Sequence, residues 1–201
     1  MLTRPILVLA LLALTACATP STDPQRLPAG SWTLDTEHAS VVWRVRHLGL
    51  SWYTGRFDTL SASLDFDPAH PEAAQLTAII DAASLSSGHP DLDRTLANGW
   101  LHAAQNPQIV FTSERIEVVD ATHGRATGQL VMNGRSVGAV MTIEFYGGSF
   151  NMLAGDDTVG FAGDMVIDRS DFAVGSLPAS IVGQEIRIHI EAEFLRLGAH
   201  S

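Results

Sequence analysis

The stretch QEIRIHIEAEF, Gln184–Phe194, restricts the fold more than any other part of this chain. Ile186, Ile188, Ile190, Ala192 and Phe194 alternate with Glu185, Arg187, His189, Glu191 and Glu193. A period of two gives a strand one apolar and one charged face, and no helix can sort these residues. The pattern recurs in HASVVWRVRHLG, where Val41, Trp43, Val45 and His47 share a face and Ser40, Val42, Arg44 and Arg46 share the other. Leu76, Ala78, Ile80 and Ala82 form a third such face, and Ala126, Gly128, Leu130 and Met132 a fourth. Val137, Ala139, Met141, Ile143 and Phe145 form a fifth. Further strands are expected at 56–67, 109–119 and 159–167. Turn signals separate them: Asp67-Pro68, Asn133-Gly134, Gly147-Gly148 and Gly155-Asp156-Asp157. Asn133-Gly134 has the composition of a two-residue hairpin turn.

One segment breaks the rhythm. Leu92, Leu96 and Trp100 recur at helical spacing, which predicts a short helix or two, broken near Asn98-Gly99 and stopped at Asn106-Pro107. The chain is therefore all-β with a helical insertion. Its antiparallel strands must manage their edges, as a sandwich or as a closed barrel, and alternation alone does not separate the two. Nor does it say whether the inner faces pack solid or surround a ligand cavity.

The N-terminus reads as a transport label. Arg4 precedes the apolar run Ile6–Leu14, which is short for a bilayer span, so residues 1–16 are expected to be a signal peptide. The run ends in Leu14-Thr15-Ala16-Cys17, which resembles a bacterial lipobox. Cys17, the only cysteine, is the expected lipidation site; an ordinary secretory signal cut near Ala16 or Ala18 is the alternative. A diacylated cysteine carries enough acyl chain for stable anchoring. With Ala18 rather than an aspartate next to it, the expected location is the periplasm, held at the outer membrane. Residues 17–31, rich in Pro, Ser and Thr, read as a flexible tether that stretched out would reach roughly 40 Å. Residues 32–198 then form one domain with a full core.

Charge removes several classes of function. With 12 Lys+Arg against 22 Asp+Glu the net charge is −10, so there is no nucleic-acid footprint and no attraction to anionic lipid. No lysine occurs, which excludes a lysine Schiff base. There is no Gly-x-Ser-x-Gly, no phosphate-cradling loop and no Cys/His cluster. The 8 histidines are scattered, none at the i, i+4 spacing of a zinc-binding helix. The expectation is a protein that is not an enzyme, with no catalytic residue, metal site or cofactor.

From Trp32 onward the chain resembles the YceI-like family of bacterial secreted proteins. The likeness is carried by Trp32-Thr33-Leu34-Asp35, His38-Ala39-Ser40, Val45-Arg46-His47-Leu48-Gly49, Gly55-Arg56-Phe57 and Phe66-Asp67-Pro68. It continues through Asp81 with Ser84-Leu85, Asn106 to Ser113, Gly128-Gln129-Leu130 with Asn133-Gly134, and Ile167 to Phe172. The resemblance implies an eight-stranded antiparallel lipocalin-like barrel with a short helical insertion. It also implies an elongated apolar cavity for long isoprenoid chains such as polyprenyl phenols and quinones. The insertion departs from the family pattern: Leu92-Asp93-Arg94-Thr95-Leu96 and Trp100-Leu101-His102 stand where an Arg-Asp-x-His-Leu segment and an Asp-Phe-Phe-like run are usual, and Asn106 replaces a tyrosine. An insertion that shaped the cavity mouth would change ligand length or head group.

Under that resemblance the inner faces look into a cavity. Its expected lining is Trp43, Val45, Phe111, Leu130, Met132, Met141, Ile143, Phe161, Ile188 and Ile190. His47 would donate to a phenol or quinone oxygen, or else be a satisfied core histidine. Arg169 and Asp171 would close a loop as an ion pair. The reading is carriage or sequestration of an isoprenoid or quinone-like amphiphile, without covalent chemistry. Two alternatives stand beside it: an interaction module with a filled barrel, contacting partners through Trp52-Tyr53 or the insertion, and a lipid- or amide-acting enzyme with His47 as base. An open sheet edge could support a homodimer.

Overall fold

The computed structural model describes residues 19–198; the expected signal peptide and Cys17 lie outside the described residues. Ten strands form one sheet: β1 (Gly30–His47), β2 (Ser51–Phe57), β3 (Leu60–Phe66), β4 (Gln75–Asp81), β5 (Leu85–Ser86), β6 (Gln108–Val118), β7 (His123–Met132), β8 (Arg135–Asn151), β9 (Asp156–Asp168) and β10 (Val182–Arg196). Eight of them, β1, β3, β4, β6, β7, β8, β9 and β10, close into an antiparallel ring because β10 also pairs with β1 along nearly its whole length. Closure decides between sandwich and barrel, and it removes the long edges a sandwich would expose. β2 and β5 form a flap continuing the sheet beside the C-terminal half of β1.

The expected strand 56–67 is two strands. The chain bends at Asp58-Thr59, whose N–H groups donate to the Ser84 backbone oxygen and to Ser84 Oγ instead of to a sheet partner. Gly147-Gly148, read as a turn, lies inside β8. There a register shift after Phe145 opens the strand so that Ser21 pairs with Gly148. A Cβ on Gly147, at φ 103°, would sit 2.8 Å from the Ser21 backbone oxygen. From Ser21 on, the segment read as a tether is therefore laid against the barrel. Asp23 caps a 3₁₀ turn at Pro24–Arg26.

Asn133 and Gly134 take φ 51° and 73° between β7 and β8, both in the left-handed region that a tight hairpin turn requires. The helical insertion is α1 (Pro90–Thr95) running directly into a π turn at Leu96–Trp100. The expected break at Asn98-Gly99 does not occur. The helix widens instead, with Leu101 N–H reaching the Leu96 oxygen.

The two ends of the barrel differ. One end is plugged by the insertion and by the β9–β10 loop, with Ala97, Leu101, Ala103, Phe172 and Val174 buried against the inner faces. Asn133 ties these pieces together: its amide donates to the backbone oxygens of Phe172 and Ala173, and its side-chain oxygen meets His102 Nδ1 at 2.9 Å. Arg169, buried at 4 % exposure, donates to the backbone oxygens of Val174, Gly175, Leu177, Val182 and Gly183. The expected Arg169–Asp171 ion pair is replaced by this carbonyl cage, because the loop curls around the guanidinium. The other end carries the β3–β4 loop, the β6–β7 turn, the β8–β9 turn and the N-terminal segment.

Candidate functional site

A cavity of about 240 Å³ runs down the barrel interior. Its mouth-side half is aromatic: Phe66, Phe145, Phe161 and Phe194 line it, with Phe66 edge-on to Phe145 and Phe161 at centroid distances of 5.7 and 5.6 Å. Deeper, the wall is aliphatic and thioether: Leu130, Met132, Met141, Ile143, Met165, Ile188 and Ile190. Space is left because small residues stand at inward positions. Ala62 and Ala78 face each other across β3 and β4, and Gly163 stands between Ile143 and Ile190.

The mouth opens at the end opposite the plug. Pro68, Pro71 and Ala74 of the β3–β4 loop form one lip, Asp120 to His123 of the β6–β7 turn another, and Thr22 and Pro24 of the N-terminal segment a third. The insertion that departs from the family pattern closes the far end rather than shaping this mouth. Both main lips are built on the same device. In Asp67-Pro-Ala-His70 and Asp120-Ala-Thr-His123 the carboxylate accepts the backbone N–H two residues on and meets the histidine Nδ1 at 3.0 and 2.9 Å. These short-range hydrogen bonds make each lip a fixed turn rather than a loose loop.

The bonds shift the acid–base behaviour of the rim. The Thr122 N–H, with His123 beside it, lowers the Asp120 carboxyl to about 2. Hydrogen bonding to Asp67 raises the His70 imidazole above 6.5, and His70 in turn lowers Asp67 below 3.8. A raised histidine favours the turn below its unfolded value and loses that contribution as pH rises through the folded value. The lowered aspartate favours the turn above its unfolded value and loses its contribution as pH falls through the folded one. The His70–Asp67 pair therefore supports this lip from mildly acidic pH to just above the ordinary histidine range. Ring-proton NMR titration of His70 should give a midpoint above the ordinary value, and Asp67→Asn should return it there. An unchanged midpoint in the variant would remove Asp67 as the cause.

Of the residues expected at the site, Phe111, Leu130, Met132, Met141, Ile143, Phe161, Ile188 and Ile190 line the cavity. Trp43, Val45 and His47 do not. Trp43 and Val45 are buried in the plugged half, where Trp43 lies over Gly55 with Tyr53 beside it at 6.3 Å. His47 is the last residue of β1 and lies exposed at the strand's end, beside the β1–β2 turn. It is thus placed neither as a head-group donor in the cavity nor as a core histidine. The arginines on the outer face of β1 are exposed. Arg44 and Arg46, with Arg187, lie over the Trp52 ring at 6.0, 4.9 and 4.8 Å, so they cover that tryptophan as well as meet water.

The lips were missed in sequence. The twice-repeated Asp-x-x-His at strand junctions was their available signal. The same spacing occurs at Asp35 and His38, whose ligand atoms with those of Glu193 come within 4.8 Å of one another. There, too, Asp35 binds His38 Nδ1 and the Glu37 N–H, so the turn itself accounts for that grouping.

A family profile describing a YceI-like domain matches residues 32–194. The chain belongs to the YceI-like family. A UPF0312 protein of Vibrio campbellii is 30 % identical over 168 residues, covering 81 % of this chain and 87 % of that one. Among solved structures, Burkholderia cenocepacia BcnA superposes with a TM-score of 0.71 at 26 % identity, covering 80 % of this chain and 98 % of BcnA. A polyisoprenoid binding domain from Saccharophagus degradans shares the fold, with a TM-score of 0.58 at 12 % identity over 84 % of this chain and 99 % of that domain. This YceI-like barrel thus has the lipocalin-like architecture of its relatives.

Proposed function

We propose that this YceI-like protein carries or sequesters an isoprenoid or quinone-like amphiphile in the periplasm, held at the outer membrane through a lipidated Cys17. The observation that carries the reading is the apolar cavity, open at one end and lined along its length by phenylalanine, methionine and branched aliphatic side chains. The Saccharophagus domain of the same fold is described as polyisoprenoid binding, which supports the ligand class. The thioethers of Met132, Met141 and Met165 are the adaptable part of the wall and can follow the shape of a flexible tail. Asp120, Thr122 and His123 put polar groups at the mouth while the deep wall is apolar, so the tail enters first and the head group stays at the rim. No catalytic step is assigned: the cavity's deep wall holds no titratable pair that could act as acid and base.

Mass spectrometry of the protein purified from a secreting bacterial host tests both halves. Under native conditions a stoichiometric extra mass that extracts into organic solvent and fragments in isoprene units is expected. Under denaturing conditions a diacylglyceryl mass on Cys17 is expected. A clean ligand-free mass persisting after incubation with polyprenols and quinones would end the carrier reading, and an unmodified cysteine would end the anchor.

A further inference from the structure

The β8–β9 hairpin reaches well past the end of β7, while β10 accompanies β9 as far as Thr158. β7 begins at His123, opposite Glu144, and the stretch Phe145–Asn151 of β8 continues past it, paired with β9 along one edge and met along the other by the Thr122 oxygen at Phe145 and by Ser21 at Gly148. At strand spacing this carries the tip roughly 20 Å beyond the end of β7. The tip is built and apolar. Asn151 accepts the N–H groups of Leu153 and Ala154 on its side-chain oxygen, and Gly155 N–H closes back onto the Asn151 oxygen. The turn held in this way presents Met152 at 88 % and Leu153 at 100 % exposure, with Phe150 exposed behind them. Val118 and Val119 of the neighbouring turn, and Leu197 after β10, are exposed at the same end.

Two further facts choose the occupant. The cavity mouth opens at this end. The N-terminal segment is also fastened here, to Gly148 of the same hairpin through Ser21, which lies four positions from Cys17. We propose that the β8–β9 hairpin docks the protein on a lipid bilayer: Met152 and Leu153 insert into its surface and set the cavity mouth against it. Apolar side chains on a rigid turn partition into the interface without first having to be ordered. The carboxylates of Asp67 and Asp120 at the lips favour a zwitterionic over an anionic surface. Cargo then passes between bilayer and barrel without crossing water. That last step rests on the carrier reading above, and the choice of a bilayer on the anchor reading of Cys17 as well as on the hairpin.

The test uses the chain from Ala18 onward, so that neither a lipid on Cys17 nor the apolar run Ile6–Leu14 can do the docking. One environment-sensitive fluorophore is placed on Leu153→Cys or, as control, on Leu50→Cys, which is exposed at the plugged end. With phosphatidylcholine–phosphatidylethanolamine vesicles, the probe at 153 should brighten and be quenched by lipids spin-labelled near the head group, while the probe at 50 should not respond. Silence at 153, or an equal response at 50, overturns the proposal. Met152→Ser with Leu153→Ser should weaken vesicle partitioning by about tenfold or more. The same pair should slow uptake of a polyprenyl quinone from vesicles while leaving its binding from detergent unchanged. Undiminished partitioning overturns the docking. Absence of quinone binding in both proteins, with vesicle docking intact, ends the carrier reading alone.

Discussion

Replacing Arg169 by alanine is expected to destabilise the barrel by about 3 kcal/mol or more. The guanidinium is buried, and its donors satisfy five backbone oxygens of the β9–β10 loop and of the start of β10, at 2.6 to 3.3 Å. Among the described residues no carboxylate forms an ion pair with it, so its desolvation is offset mainly by carbonyl dipoles, with the Trp100 ring 5.8 Å away and the nearby Asp168 charge beside them. Alanine leaves those oxygens either unsatisfied or reached by water through a disrupted plug. For a chain of this size the loss amounts to roughly 6–12 °C in thermal midpoint. Arg169→Lys should recover little, because an ammonium has three donors on a point where the cage is built for a planar fork of five. Thermal unfolding followed by circular dichroism checks both variants, and hydrogen exchange should locate the loosening in residues 168–183. A lysine variant as stable as the native protein would mean that charge, not the fork, holds the loop.

Ala78→Phe is expected to abolish ligand binding while leaving the fold intact. Ala78 stands on the inward face of β4 directly across from Ala62, and both line the cavity. A phenyl ring there fills the space a tail would occupy, and filling a cavity commonly adds about 0.5–2 kcal/mol of stability. The extra ligand mass should vanish while the thermal midpoint stays level or rises. Val140→Phe, on the exposed outer wall of β8, should keep full binding. A folded Ala78→Phe protein that still carries its ligand stoichiometrically would place the ligand outside the barrel.

Much of this architecture was legible because it is local. A strand's side chains point alternately to its two faces, so Ile186 to Phe194 and Val137 to Phe145 declare their inner faces without reference to any partner. The Asn133-Gly134 hairpin is equally local, since both residues tolerate the positive φ that the turn imposes. Eight of the expected site residues reach the cavity for this reason: they lie on inward faces of ring strands.

The errors have one origin. Trp43 and Val45 share an inner face with the cavity strands, but they lie at the depth where the insertion has entered the barrel. The Gly147-Gly148 pair was read as a turn, although its glycines serve the close approach of a segment more than a hundred residues earlier in the chain. In each case the local pattern was sound and a distant piece of chain decided the outcome.

The sequence by itself therefore determined the strand faces, the tight turn, the insertion and the family. Periodicity and turn chemistry act over a few residues, and the family motifs are local too. Only the tertiary structure decided that the ring closes through β1 and β10, which end is plugged, and where the mouth opens. It also decided that an apolar hairpin tip and the N-terminal segment share the mouth's end. Those are relations between elements far apart in the chain, set by packing and strand register, which alternation along one strand does not encode.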